Sequence, residues 1–265
     1  MKKIILFSAA IILLAASCKK TENNASEQLP DVKASSTAKV CVDKGPNVEP
    51  GKVSTESVFV KTTSWANGKT IKVKFLNGTT FLQGKVKQYA KIWEDYANVK
   101  FSFVTSGTAD LKVGFKYNGD EGSWSYLGTD ALTYAPGNEQ SMNFGWFDAN
   151  SPESDFSGTI LHEFGHALGL AHEQASPNQN IQWNKPVVYA YFQGPPNNWT
   201  KADVDAQVFA KYGKNDKTIS YTAYDPASIM QYFIDESFTT DGFSVGENTV
   251  LSATDKSHIA KVYPK

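Results

Sequence analysis

Residues 162 to 172, His162-Glu163-Phe164-Gly165-His166-Ala167-Leu168-Gly169-Leu170-Ala171-His172, constrain this chain more than any other stretch. On an α-helix His162 and His166 share one face, where two imidazoles can hold one zinc ion. Glu163 sits one step round that helix and can reach a metal-bound water without binding the metal. Gly169 tolerates a positive φ, which lets the helix stop and the chain turn back. His172 then arrives as a third ligand from outside the helix. Three protein ligands leave a position for water, which is the layout of a catalytic zinc site and not of a structural one.

The chemistry expected of such a layout is hydrolysis. Zinc lowers the pKa of its water from about 16 to about 7 and polarises a carbonyl. Glu163 would take the proton as general base and pass it to a leaving amine as general acid. A bare HExxH arises by chance in amphipathic helices. The longer HExxHxxGxxH fixes five positions, and it uses three of the chain's four histidines. The ordinary alternative, a helix whose histidines are only hydrogen-bonded, does not explain that spacing. A zinc site without catalysis does not explain Glu163.

The motif resembles that of the metzincin zinc endopeptidases. That clan also has a methionine turn beyond the third histidine, and Ser228-Ile229-Met230-Gln231-Tyr232 supplies one. Met230 would form an apolar floor beneath the metal. Glu173 after the third histidine, and Tyr232 two after the methionine, are similar to the astacin branch. The resemblance implies that Tyr232 binds zinc in the resting enzyme and swings to stabilise the transition state. It also implies that a freed N-terminal amine pairs with Glu173. Tyr224-Asp225 and the segment Gly122 to Gly128 are astacin-like as well. The fold implied is α+β and zincin-like: a twisted mixed β-sheet with an active-site helix, and two lobes flanking a substrate cleft, over residues 53–265. Animal astacins carry two disulfides and this domain has none. Gln231 stands where a histidine is usual, and Gln174-Ala175-Ser176-Pro177 replaces a charged stretch. The likeness is therefore to bacterial, disulfide-free astacin-like peptidases.

The N-terminal part reads as an export and control region. In residues 1–17, Lys2 and Lys3 precede an apolar run, Ile4 to Ala16, too short to span a bilayer comfortably, as in a signal peptide. Leu14-Ala15-Ala16-Ser17 before Cys18 resembles a lipobox, which would place a lipid on Cys18. Ordinary secretion with cleavage near Ala16 is the alternative. Residues 18–38 are polar and read as a tether. Residues 39–52 read as a propeptide segment around Cys41, the one cysteine beyond Cys18. A thiolate is a good zinc ligand, and some zymogens of the clan cover their metal this way. Cys41 is thus a candidate ligand of the latent form, with Asp43 its rival, because animal astacins use a propeptide aspartate.

Further along, Ile71 to Phe75, Val99 to Val104 and Leu111 to Phe115 alternate as strands, and Phe81 to Tyr96 keeps helical spacing. Residues 122–128 suggest an edge strand above the cleft to which an extended substrate could pair. Trp124 would then border the cleft or else sit in the core. Ser141 to Phe147 suggests another strand and Asp148 to Asp155 a polar loop, with Ser157 or Thr159 capping the active-site helix. Prolines 177, 186, 195 and 196 interrupt regular structure. Thr200 to Tyr212 suggests one helix. Residues 233 to 250 would line part of the pocket for the side chain after the scissile bond, with Phe233, Ile234 and Phe243 pointing to acceptance of apolar side chains. Ser252 to Lys256 precedes a last helix bearing a structural His258.

About 245 residues follow the signal, enough for one domain or two lobes round a cleft. A net charge of −1 offers no basic field for nucleic acid. With so few cysteines, packing and zinc must hold the fold. The expected partners are protein or peptide substrates, a membrane touched only through an N-terminal lipid, and no second subunit. A rival from another class is a lipid-anchored zinc-binding adhesion module without turnover. A narrow-range processing or toxin protease would use the same chemistry in a different role.

Overall fold

The computed structural model of the chain describes residues 41–44, 58–195 and 197–265. The stretches expected to be a signal peptide and a tether, Cys18 with its expected lipid, and most of the 39–52 segment lie outside the described residues. The strands are β1 (Val42–Lys44), β2 (Val58–Val60), β3 (Thr70–Phe75), β4 (Lys100–Val104), β5 (Leu111–Phe115), β6 (Trp124–Tyr126), β7 (Met142–Phe144) and β8 (Ile219–Tyr221). The helices are α1 (Thr80–Ala90), α2 (Asp130–Tyr134), α3 (Glu153–Ala167), α4 (Lys185–Gln193), α5 (Lys201–Val204) and α6 (Ala253–Val262).

Six strands form one mixed sheet in the order β1-β6-β7-β5-β3-β4. All neighbours are parallel except β6 and β7. β3 follows its sequence pattern, with Ile71 and Val73 buried and Thr70 and Lys72 exposed. β5 is buried along its whole length, Lys112 included. The helices α1 and α3 pack together. Trp93, fully buried beyond the end of α1, donates its indole N–H to the Leu161 carbonyl of α3 at 3.0 Å. Phe101 meets Phe164 edge to face at 5.0 Å. A second core gathers Val188, Phe192, Val204, Val208, Ile234, Phe238 and Val245 around α4 and α5. These two cores are the two lobes, and α3 belongs to the first.

Several local expectations change. The helix beginning near Phe81 ends at Ala90 and tightens into a 3-10 turn, Lys91–Asp95. The active-site helix starts at Glu153 behind Pro152, so neither Ser157 nor Thr159 caps it. Pro152 fixes φ for the entry, and Glu153 and Asp155 face the positive end of the helix dipole. Pro186 does not interrupt structure; it lies in the first turn of α4, where a missing N–H costs nothing. The 200–212 helix is short: Thr200 and Asp203 form a capping box, and after Val204 the chain widens into a π turn, Asp205–Phe209. Ser252 does not merely precede α6 but caps it, with Asp255 completing a second capping box. The pair β2–β8 had no sequence signal, because each strand has three residues.

His258 on α6 is structural: it is buried, with Nε2 3.2 Å from the Ser220 hydroxyl. Burial, with a smaller push from Lys261, lowers its pKa from 6.5 to about 4. Above 6.5 both folded and unfolded chains hold it neutral. As pH falls from 6.5 toward 4 only the unfolded chain takes up the proton, so stability declines across that window by up to about 3 kcal/mol. His258→Gln should flatten this decline. Urea midpoints measured at pH 7 and pH 4.5 check it, and equal declines in variant and wild type would remove His258 from the acid response.

Candidate active site

The site is built at the C-terminal end of α3, where the last helical carbonyls need partners. They find them across the fold. Gly128 N–H donates to the His166 carbonyl at 2.9 Å, Trp65 Nε1 to Ala167 at 2.7 Å, and the Tyr263 hydroxyl to Leu168 at 2.8 Å. Gly169 then turns the chain with φ +97°, and a Cβ there would lie 2.9 Å from the Phe59 ring. No other residue type fits both the angle and the space.

That turn brings His172 back against the helix. His166 Nε2 lies 3.0 Å from His162 Nε2 and 3.2 Å from His172 Nε2. Tetrahedral zinc with Zn–N bonds of 2.0–2.1 Å places ligand nitrogens about 3.3 Å apart, so the spacing fits. The tautomers fit too. His162 Nδ1 donates to the Ile229 carbonyl at 2.8 Å, and His166 Nδ1 to the Leu170 carbonyl at 2.7 Å. A carbonyl only accepts, so each of these Nδ1 atoms carries the proton and its Nε2 lone pair faces the common point. Burial holds the imidazoles neutral: it lowers His162 to about 4 and, with mutual repulsion adding to it, holds His166 and His172 well below their usual value.

The methionine turn does two jobs. Its Ile229 carbonyl orients His162, and Met230 lies under the helix, where a Cβ on Gly165 would come 2.4 Å from the Met230 sulfur. The turn is pinned by Asp255, which accepts from the Ser228 hydroxyl at 2.6 Å and from Ile229 N–H at 2.8 Å. Burial pushes the Asp255 carboxyl up, and these hydrogen bonds oppose it. Neither Gly165 nor Asp255 was expected at the site. The S-x-x-D capping pattern from Ser252 to Asp255 was the available signal for the second. Glu173 is buried; its N–H donates to the Met230 carbonyl at 3.0 Å, and its carboxylate accepts from Asp225 N–H at 2.7 Å. Gln231 receives the Tyr224 hydroxyl at 3.0 Å, and Gln174 receives the Tyr232 N–H at 3.3 Å. The two glutamines that depart from the resemblance thus brace the turn.

Glu163 is fully buried beside the triad. The Tyr232 ring centroid is 4.2 Å from that of His172, and its hydroxyl donates to the Cys41 carbonyl. Cys41 is buried, and its sulfur, a His162 nitrogen and a Glu163 oxygen lie within 4.8 Å of one another. β1, which follows Cys41, pairs with the edge strand β6 in parallel, Val42 opposite Trp124 and Lys44 opposite Tyr126. The strand expected to receive substrate is therefore covered by the chain's own segment. Trp124 is buried, donates its indole N–H to Asp120 at 2.8 Å, and does not line the neighbouring cavity.

That cavity, of about 280 Å³, opens beside His162 and Tyr232. Trp146, Asp155 and Thr159 line it from the α3 side, and Phe233, Glu247 and Asn248 from the loop beyond the methionine turn. Of the three apolar residues expected there, Phe233 is present, whereas Ile234 and Phe243 pack into or against the second core. Glu247 and Asn248 fall within the 233–250 stretch expected to line the pocket, whereas Trp146 and Asp155 gave no sequence signal, since only the fold brings them here.

A mixed sheet over a helix that presents two histidines, with a third returning from its end and a methionine beneath, defines a metzincin zinc peptidase. The family model for astacin, a family of peptidases, matches residues 58–263, and the chain belongs to this astacin family of zinc metalloendopeptidases, which use one catalytic zinc. The solved structure of myroilysin is 52% identical, with a TM-score of 0.74, covering 78% of this chain and 98% of that one. Protein SpAN of Strongylocentrotus purpuratus is 28% identical over 187 residues, which is 64% of this chain and 26% of that protein. Serralysin C of Dickeya chrysanthemi is 37% identical over 113 residues, which is 40% of this chain and 23% of that protein. The aligned segments span about a quarter of the length of these last two.

Proposed function

We propose that this chain is an exported zinc endopeptidase, made in a latent form, that hydrolyses peptide bonds in proteins. The observation that carries the activity is the convergence of three neutral imidazole nitrogens at the spacing of tetrahedral zinc ligands. His162, His166 and His172 would hold the ion, which when bound supplies Lewis acidity toward the scissile carbonyl and an acidified water. Glu163, buried at the triad, takes the proton from water and delivers it to the leaving amine. The Tyr232 hydroxyl, close enough to engage the site, donates a hydrogen bond to the carbonyl oxygen as negative charge develops there. Residues 53–265 form the catalytic domain.

Latency comes from residues 39–52. Cys41 reaches the metal site as a thiolate ligand, β1 occupies the edge strand, and the Cys41 carbonyl engages Tyr232. Three groups that a substrate needs are thereby covered at once. Upstream, residues 1–17 direct export, and a lipid on Cys18 with the tether of residues 18–38 holds the domain at the cell envelope.

Casein hydrolysis by the processed protein tests the activity. It should stop when a chelator strips the metal and return when zinc is added. Hydrolysis that persists after metal analysis shows the zinc gone would sink the proposal. So would a folded protein that takes up no zinc.

A further inference from the structure

The capping of α6 uses only one of the two carboxylate oxygens of Asp255. Oδ2 accepts from the Ser252 N–H at 2.8 Å, and from the Ile229 N–H at 2.8 Å as well. Oδ1 accepts from the Ser228 hydroxyl at 2.6 Å. The Ser228 oxygen in turn accepts from the Met230 N–H at 3.1 Å. That N–H belongs to the same peptide group as the Ile229 carbonyl, which accepts from His162 Nδ1 at 2.8 Å. A continuous line of hydrogen bonds therefore runs from a carboxylate, through a hydroxyl and one peptide group, to an imidazole whose Nε2 faces the metal position. Asp255, Ser228, Met230 and His162 are all buried, so water competes for no link of it. Among the described residues the charged side chain that acts on Asp255 is Asp225, another carboxylate. A carboxylate buried without a cation beside it is costly, and anchoring the turn needs only the bonds to Oδ2. The line through Oδ1 leads to the place where three histidines would hold a dication.

We infer that Asp255 and Ser228 are positioning residues that strengthen His162 as a zinc ligand, acting through the peptide group between Ile229 and Met230. The inference rests on the zinc site of the function proposed above and deepens it. The direction of every bond is set. The carboxylate and the carbonyl only accept, so the Ser228 hydroxyl gives its hydrogen to Asp255 and receives that of Met230. Bonds aligned in this way polarise one another. The Ile229 carbonyl becomes a stronger acceptor, which holds the His162 ring in place and raises electron density at its Nε2. No proton moves along the line. A carboxylate bonded directly to a ligand histidine has the same effect on a metal. Here a serine and a peptide group lie between them.

The test uses the full, unprocessed chain, so that Cys41 is common to every variant. Asp255→Asn keeps an oxygen for the Ser252 and Ile229 N–H groups but turns an NH2 toward Ser228, whose hydroxyl then loses its acceptor. Ser228→Ala keeps the carboxylate and both of its backbone bonds and removes the middle link. Zinc competition against a chromophoric chelator should show each variant holding the ion about 10- to 100-fold more weakly than wild type. The double variant should lose no more than the larger single loss, because all three break one line. The visible absorption bands of the cobalt-loaded protein should shift in the same sense in both single variants, which a residue that only stabilises the fold would not cause. Wild-type zinc affinity in both single variants would overturn the inference. So would losses that add in the double variant, or cobalt bands that do not move. Weakening by Asp255→Asn beside a silent Ser228→Ala would leave Asp255 as an anchor of the turn and nothing more. If Asp255→Asn does not fold, Ser228→Ala decides by affinity and cobalt spectrum alone. A wild-type chain that binds no zinc would instead overturn the site on which the inference rests.

Discussion

Glu163→Gln should lower casein hydrolysis by the processed enzyme between about 100-fold and 10 000-fold while leaving one zinc per chain. The substitution keeps the shape of the side chain and a hydrogen-bonding oxygen, and removes only the capacity to take and return a proton. The three imidazoles are positioned by other groups: His162 by the Ile229 carbonyl, His166 by the Leu170 carbonyl, and His172 by the Gly169 turn. None depends on Glu163, so metal content should not change. The loss should fall on kcat, because proton transfer belongs to the transition state and not to substrate binding. Unchanged hydrolysis would remove Glu163 from the chemistry. Retained zinc with lost turnover is also what separates an enzyme from an adhesion module that binds metal for structure alone.

What the sequence disclosed was mostly what lies close together along it. His162, Glu163, His166, Gly169 and His172 span little more than three helical turns, so their geometry follows from helix pitch and one turn. Ile71 to Phe75 disclosed itself by alternation over several residues. The hidden parts depend on partners distant in the chain. Nothing in Val42-Asp43-Lys44 foretells parallel pairing with Trp124 to Tyr126, since three residues carry no period. Asp255 could be seen as a helix cap, but its second role in pinning Ile229 requires the fold. Pro152 and Pro186 hid the starts of α3 and α4, because a proline in the first turn resembles a breaker unless the residues after it are weighed as helix formers. The cavity beside His162 brings Asp155 and Glu247 into one wall, residues with no local reason to be associated.

Cys41→Ala in the unprocessed chain should raise casein hydrolysis by about 100-fold. Four-ligand zinc sites are worth about 10–16 kcal/mol, so one thiolate contributes on the order of 3 kcal/mol, and each 1.4 kcal/mol is tenfold. The Cys41 sulfur lies within 4.8 Å of a His162 ring nitrogen and a Glu163 carboxylate oxygen, so its removal opens the position nearest the chemistry. The relief should be incomplete. The hydrogen bond from Tyr232 goes to the Cys41 backbone carbonyl, which alanine retains, and β1 still pairs with β6. Proteolytic removal of residues 39–52 should therefore raise the rate beyond that of Cys41→Ala, chiefly by lowering KM, because the edge strand becomes available to substrate. Asp43→Asn is the control. Activation by Asp43→Asn with a silent Cys41→Ala would move the latch to the aspartate. If both are silent, latency rests on main-chain pairing alone, and the segment inhibits by occupying the edge strand without ligating the metal.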